Sequence, residues 1–171
     1  MKTTDFSPGD NTIDSRSVIA RQEELAEELQ ELTDALAEAK DDLTRFLTNH
    51  DSDEEDFDET VEDLKDEITS AQSAIAIWNT YEGVELENLN DLIEQAESSP
   101  DWSYGEGLIH DDYFQEYTEQ LVEDCYEMPK EFDSGNWPWR HMTMDWEAAA
   151  AELKGDYMEV DFAGETYWIR G

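Results

Sequence analysis

Apolar residues recur every three or four positions along two stretches of this chain. Leu25, Leu29, Leu32, Leu36, Ala39, Leu43 and Phe46 form the first series, and Phe57, Val61, Leu64, Ile68, Ala71, Ile75 and Trp78 repeat its rhythm. Alternating steps of four and three draw one narrow apolar seam along an α-helix, and two such seams bury each other. The first helix is expected from Ser15 or Ser17 to about Leu47, and the second to about Thr80. Thr48 to Asp53 reads as a turn, and Ser52 with Glu55 has the spacing of a capping box that would start the second helix. Similar lengths, matching seams and a short polar link predict an antiparallel, coiled-coil-like hairpin over residues 16–80. The same seam could instead join two chains, so a homodimer stays open.

The remaining pattern is shorter-ranged. Residues 1–15 are polar, with Pro8-Gly9 and no periodicity, and are expected to form a mobile tail. Gly83 is expected to break the helical pattern. Leu86, Leu89, Leu92, Ile93 and Ala96 then predict a separate helix stopped by Ser98-Ser99-Pro100. Trp102 to Gly107 reads as a loop. Asp111 or Asp112 can cap a helix with Tyr113, Phe114, Tyr117, Leu121, Val122 and Cys125 on its buried side, ending before Pro129. Lys130 to Arg140 reads as an ordered loop. Asp145 caps a helix from Trp146 to Lys154, with Gly155 as its stop. Tyr157–Phe162 and Glu165–Arg170 alternate around Ala163-Gly164, a β-hairpin signal. The expected fold class is α+β and mostly helical: the N-terminal hairpin, then an acidic α+β domain over 81–171 ending in that β-hairpin.

Charge changes this picture. The chain of 171 residues has 47 Asp and Glu against 10 Lys and Arg, a formal net charge of -37. The halves on either side of residue 80 carry -17 and -20, so the acid is not a terminal tail but belongs to the whole folded surface. Aromatic residues make up 11% of the chain, which argues against the disorder that high charge otherwise implies. The opening residues lack the apolar stretch of a signal peptide, and no run of about 18 apolar residues exists. A surface this negative is repelled by anionic lipid. With the single Cys125 pointing to a reducing compartment, the expectation is a soluble protein of the (host) cytoplasm with no membrane partner.

No catalytic motif emerges. With 47 acids, carboxylate pairs of the glycosidase kind arise by chance. His50, His110 and His141 lack metal-ligand spacing, Cys125 reads as a buried, inert thiol, and there is no glycine-rich phosphate loop. Asp51, Asp53, Glu55 and Glu62 approach the spacing of a calcium EF-hand loop. However, Asp56 stands where that loop needs glycine, and Asp58 where an apolar residue packs. A solvated acidic turn is the simpler reading. The expectation is therefore no enzyme, no cofactor and no metal.

What remains is the negative surface. B-DNA carries one charge per about 1.7 Å of axis, so this net charge matches roughly 60 Å of duplex. A helix of about 30 residues is about 45 Å long. Such a rod could lie in a groove built for DNA and offer carboxylates where phosphates would sit. On the hairpin the candidates are Glu24, Glu27, Glu28, Glu31, Asp34 and Glu38, then Glu59, Glu62, Asp63 and Asp66.

A resemblance supports this reading. Tyr113 to Asp124, with its Leu121-Val122-Glu123-Asp124 ending, is followed by Met144-Asp145-Trp146-Glu147 with Leu153. Asp156 to Val160 and the closing Thr166-Tyr167-Trp168-Ile169 complete the set. Together these resemble the C-terminal region of antirestriction proteins carried by plasmids, transposons and phages. The resemblance covers about a third of the chain. It implies an elongated, dimeric DNA mimic that occupies the DNA-binding track of type I restriction–modification enzymes. It adds Glu116, Glu119, Glu123, Asp124, Asp145 and Glu147 as candidate phosphate-like positions. The N-terminal hairpin does not look like that family's small N-terminal domains, so the family's dimerisation and target preference are not carried over. The expected function is inhibition of a host DNA-binding defence enzyme, of restriction–modification or CRISPR type, with no direct contact to nucleic acid. The competing reading is a structural or scaffolding protein of a halophile or its virus, whose acidity suits concentrated salt.

Overall fold

The computed structural model describes residues 6–53, 55–127, 129–131 and 134–171. The element order is β1 (Thr12–Asp14), α1 (Ser15–Asn49), α2 (Phe57–Ala96), β2 (Gly107–His110), α3 (Phe114–Cys125), α4 (Trp146–Leu153), β3 (Tyr157–Phe162) and β4 (Glu165–Arg170). The α+β class and the helical N-terminal region are as the pattern of apolar residues indicated. The chain divides into two compact units, Ala20–Asn90 and Met1–Ile19 with Asp91–Gly171, which replace the expected boundary at residue 80.

That boundary moves because Gly83 does not stop the helix. A glycine inside a helix costs about 1 kcal/mol, and α2 continues through it to the fully buried Leu89 and Leu92. A side chain at this position would meet Asn79 Oδ1 at 3.2 Å and the Trp78 ring at 3.4 Å, so glycine makes room for its neighbours. At the other end, α2 starts at Phe57 and not beside Ser52. Asp56 precedes it in the left-handed region, with φ 70°, and its carbonyl accepts hydrogen bonds from the Thr60 backbone N–H and hydroxyl.

The four strands form one antiparallel sheet in the order β1-β2-β4-β3. Its first member corrects the expected mobile tail, of which residues 1–5 lie outside the described residues. Ile13 pairs with Leu108 and is almost fully buried. Phe6 packs 6.0 Å from the Phe162 ring. The Gly9 N–H donates to the Tyr167 hydroxyl, which in turn donates to the Asp10 carbonyl, both at 3.0 Å. Burial raises the Tyr167 hydroxyl pKa above its ordinary value, so the phenol stays protonated and able to donate. The expected loop 102–107 holds a 3-10 turn at Trp102–Tyr104, with Trp102 buried, and the first residue of β2.

Period-two alternation gives the sheet two apolar faces. Leu108, Val160, Phe162, Tyr167 and Ile169 are buried on one. On the other, Ile109 joins Phe114 of α3 and Ala150 of α4, with Tyr157 and Trp168 packed against them. β3 is an edge strand, and edges are open templates for unwanted pairing. Gln95 covers part of it: its Oε1 accepts from the Asp161 N–H at 2.9 Å, and its Nε2 donates to the Asp161 carbonyl at 3.3 Å.

The β3–β4 turn has Ala163 at φ 54° and Gly164 at φ 88°, the two left-handed residues that a type I′ turn requires. An L-residue other than Gly, Asn or Asp is strained there by about 1–2 kcal/mol. Ala163→Asn is therefore expected to stabilise the protein by roughly 1 kcal/mol, read as a higher urea midpoint. An unchanged midpoint would mean the strain is absent.

Candidate partner-binding surface

In the Ala20–Asn90 unit every seam position is buried or half-buried, as the spacing required. Two helices alone cannot enclose a seam on all sides, so full burial is concentrated at Leu25, Trp78 and Leu89. Phe46 and Phe57 lie 5.4 Å apart where α1 gives way to α2. The two helices are also tied by polar contacts. Arg21 grips Glu85 with two hydrogen bonds of 2.8 Å and reaches Glu24 at 2.9 Å. These carboxylates raise the Arg21 pKa still further above neutrality, so the clamp is charged at all working pH. Gln22 bonds Asn90 at 3.0 Å, and the Trp78 indole N–H points to Glu28 at 3.4 Å.

These contacts sort the candidate carboxylates. Glu24 and Glu28 are half-buried and serve the contact between helices, so they do not belong to an outward face. Glu27, Glu31, Asp34 and Glu38 are exposed at steps of four, three and four along α1, in one line. Glu59, Glu62, Asp63 and Asp66 are exposed on α2. Among the described residues none of these eight takes part in an ion pair. Of the basic residues, Arg45 pairs with Asp41 and Asp42, Arg16 with Asp14 and Lys154 with Asp111, while Lys40 and Lys65 stand on α1 and α2 themselves. Glu23, Asp58 and Glu67 are equally exposed and extend the same surface. The Arg21–Glu85 clamp escaped the sequence reading. Its one available signal was a lone arginine just before the first seam residue of an otherwise acidic helix.

The second candidate set lies in the other unit. Glu116, Glu123 and Asp124 are exposed on α3, while Glu119 is half-buried. Asp145 is the N-cap of α4, its Oδ1 accepting from the Ala148 N–H at 3.0 Å, and Glu147 is exposed in the first turn. Cys125 is exposed, against the expected buried thiol, because it closes the last turn of α3 and the chain leaves in extended backbone at Tyr126. Phe114 and Thr118 are the buried residues of that helix; Tyr113, Tyr117, Leu121 and Val122 are half-buried.

Behind α3, Lys154 donates to Asp111 and lies 4.7 Å from the Trp168 ring centre and 5.3 Å from that of Phe114, a cation–π cage. The Trp168 indole N–H donates to the same Asp111 oxygen at 2.6 Å. The lysine bond and then the indole bond hold the Asp111 carboxyl below the usual carboxylate range. This cluster joins α4, β4 and the start of α3, and its charges are spent internally.

Among the described residues no three His, Cys, Asp or Glu side chains meet in a group that could hold a metal ion, and no helix is long and apolar enough to cross a membrane. No protein-family model, curated protein or solved structure matches this chain.

Proposed function

We propose that this protein is a non-enzymatic inhibitor that acts in the host cytoplasm on a DNA-binding defence enzyme, of restriction–modification or CRISPR type, by presenting carboxylates in place of phosphates. The observation that carries this reading is the unneutralised acid on the two long helices: Glu27, Glu31, Asp34 and Glu38 on α1, Glu59, Glu62, Asp63 and Asp66 on α2. Steps of three and four residues at 1.5 Å rise place a carboxylate about every 5 Å along a helix. Two helices side by side then offer one per roughly 2.6 Å, about two-thirds of the linear charge density of B-DNA at one per 1.7 Å. Helical backbone fixes these groups before binding, so little ordering entropy is lost when a basic track closes on them. The resemblance of the α3–β4 region to antirestriction proteins supports the same direction.

The test is capture from host lysate with the wild type and with a variant carrying Lys at Glu27, Glu31, Asp34 and Glu38. Glu24 and Glu28 are left alone, since changing them would disturb the contact between helices. A nuclease-related partner that the wild type retains, the variant loses and duplex DNA displaces is the expected result. Identical partners for both proteins, indifferent to DNA, would reject charge mimicry. Circular dichroism in dilute buffer separates the halophile reading, which requires unfolding there; a mimic stays folded.

A further inference from the structure

Residues of α3 and α4 line a cleft of about 560 Å³, within the range of about 300–1,000 Å³ that ligand pockets occupy. It belongs wholly to the unit built from Met1–Ile19 and Asp91–Gly171. Much of its lining is apolar: Leu121 and Val122 come from α3, Ala149 and Leu153 from α4. The Thr118 hydroxyl, also in the lining, donates to the Phe114 carbonyl at 2.8 Å, so its proton is already spent. Tyr126 and Met144 line the cleft while remaining 68% and 41% exposed. Glu152 and Asp156 complete it, and both are exposed. No Lys, Arg or His lines the cleft. Among the described residues neither carboxylate enters an ion pair, and Lys154, between them in sequence, donates to Asp111 instead.

We infer that this cleft receives an apolar side chain of a partner protein, flanked on that partner by Arg or Lys that pair with Glu152 and Asp156. The lining selects this chemistry. A wholly apolar occupant would cover two carboxylates without supplying a counter-charge, which is costly, and an anion would be repelled. A small hydrated cation gains nothing from Leu121, Val122 and Leu153, whose removal from water rewards an apolar group. Only an apolar body with positive charge beside it uses both parts of the lining. Tyr126 and Met144 decide between a free small molecule and a side chain. A pocket built for a free ligand buries most of that ligand's surface, whereas these two wall residues are still largely in water. A side chain projecting from a protein brings with it a surface that covers them. Tyrosine and methionine are also among the residues enriched where proteins meet. The inference rests on the proposed inhibition for the nature of the partner, a DNA-binding enzyme with a basic track. It adds an apolar anchor that salt does not screen.

The probe is acetyl-Arg-Trp-Arg-amide, titrated into the full chain in about 0.5 M sodium chloride, where scattered surface attraction is screened. Methyl NMR is expected to show binding through shifts at Leu121, Val122, Met144 and Leu153. Acetyl-Arg-Ala-Arg-amide, with the same charge and no ring, should bind about tenfold more weakly. Glu152→Gln/Asp156→Asn changes two exposed positions and should bind the tryptophan peptide about fivefold more weakly with unchanged helicity. Glu97→Gln/Asp101→Asn removes the same charge at exposed positions outside the cleft and should bind it as the wild type does. The peptides need no captured partner, so this test and the lysate capture fail separately: mimicry can be rejected while the cleft still binds, and the reverse. Equal binding of the two peptides overturns the inference, and so does an equal effect of the two double substitutions. Tryptamine bound as tightly as the tryptophan peptide would make the cleft a site for a free amine and overturns it as well.

Discussion

Trp78→Ala is expected to cost the helical hairpin about 3–5 kcal/mol, the largest effect of any single substitution in that unit. Most seam residues are half-buried, so removing one of them exposes little that was dry. Trp78 is different: it is 7% exposed, lies against Gly83 and sends its indole N–H to Glu28. Its loss leaves a cavity beside Gly83, at a seam position that is almost fully enclosed. A small domain has about 5–15 kcal/mol in total, and here part of that is consumed by repulsion among carboxylates. The variant should therefore lose most of its hairpin helicity in dilute buffer and recover part of it as salt screens the repulsion. Circular dichroism against urea at several salt concentrations measures this, with Leu36→Ala as the half-buried comparison. Equal urea midpoints for Trp78→Ala and wild type would show that the enclosed end of the seam is not where stability resides.

The second large effect concerns the captured partner. Its affinity should fall about a hundredfold to a thousandfold between about 50 mM and about 200 mM salt. A DNA-binding protein with six to ten phosphate contacts loses about 10³ to 10⁵ over that range. The smaller figure follows from the lower charge density of the helices, which gather fewer counterions to release. Each of Glu27, Glu31, Asp34 and Glu38 neutralised to Gln or Asn should reduce the slope of log affinity against log salt, while Arg45, already paired with Asp41 and Asp42, should matter little. Titration calorimetry across the salt range is the measurement. An affinity that stayed flat would mean that contacts other than ionic ones hold the partner, and the mimicry reading would be wrong.

The sequence by itself determined whatever depends on neighbours a few residues apart. Seam spacing called for both long helices, though not for the length of the second, which runs on to Ala96. Alternation around Ala163-Gly164 fixed β3 and β4 to the residue, and Asp145 fixed the start of α4. The exposed lines of acid on α1 and α2 were equally legible, because a period of 3.5 also says which positions face away. Tertiary structure alone decided the rest. β1 and β2 have three and four residues, too few to show a period, and Ile13 finds Leu108 only across most of the chain. Gly83 is a helix breaker by propensity and a helical residue by packing, since burial of Leu89 and Leu92 outweighs a cost of about 1 kcal/mol. Arg21 stands three residues before Glu24 in the sequence, but nothing there shows that it continues to Glu85 or that Trp78 reaches Glu28. The packing of one helix against the other brings Glu85 to the Arg21–Glu24 pair and Trp78 to Glu28, and leaves Glu27 and Glu31 exposed.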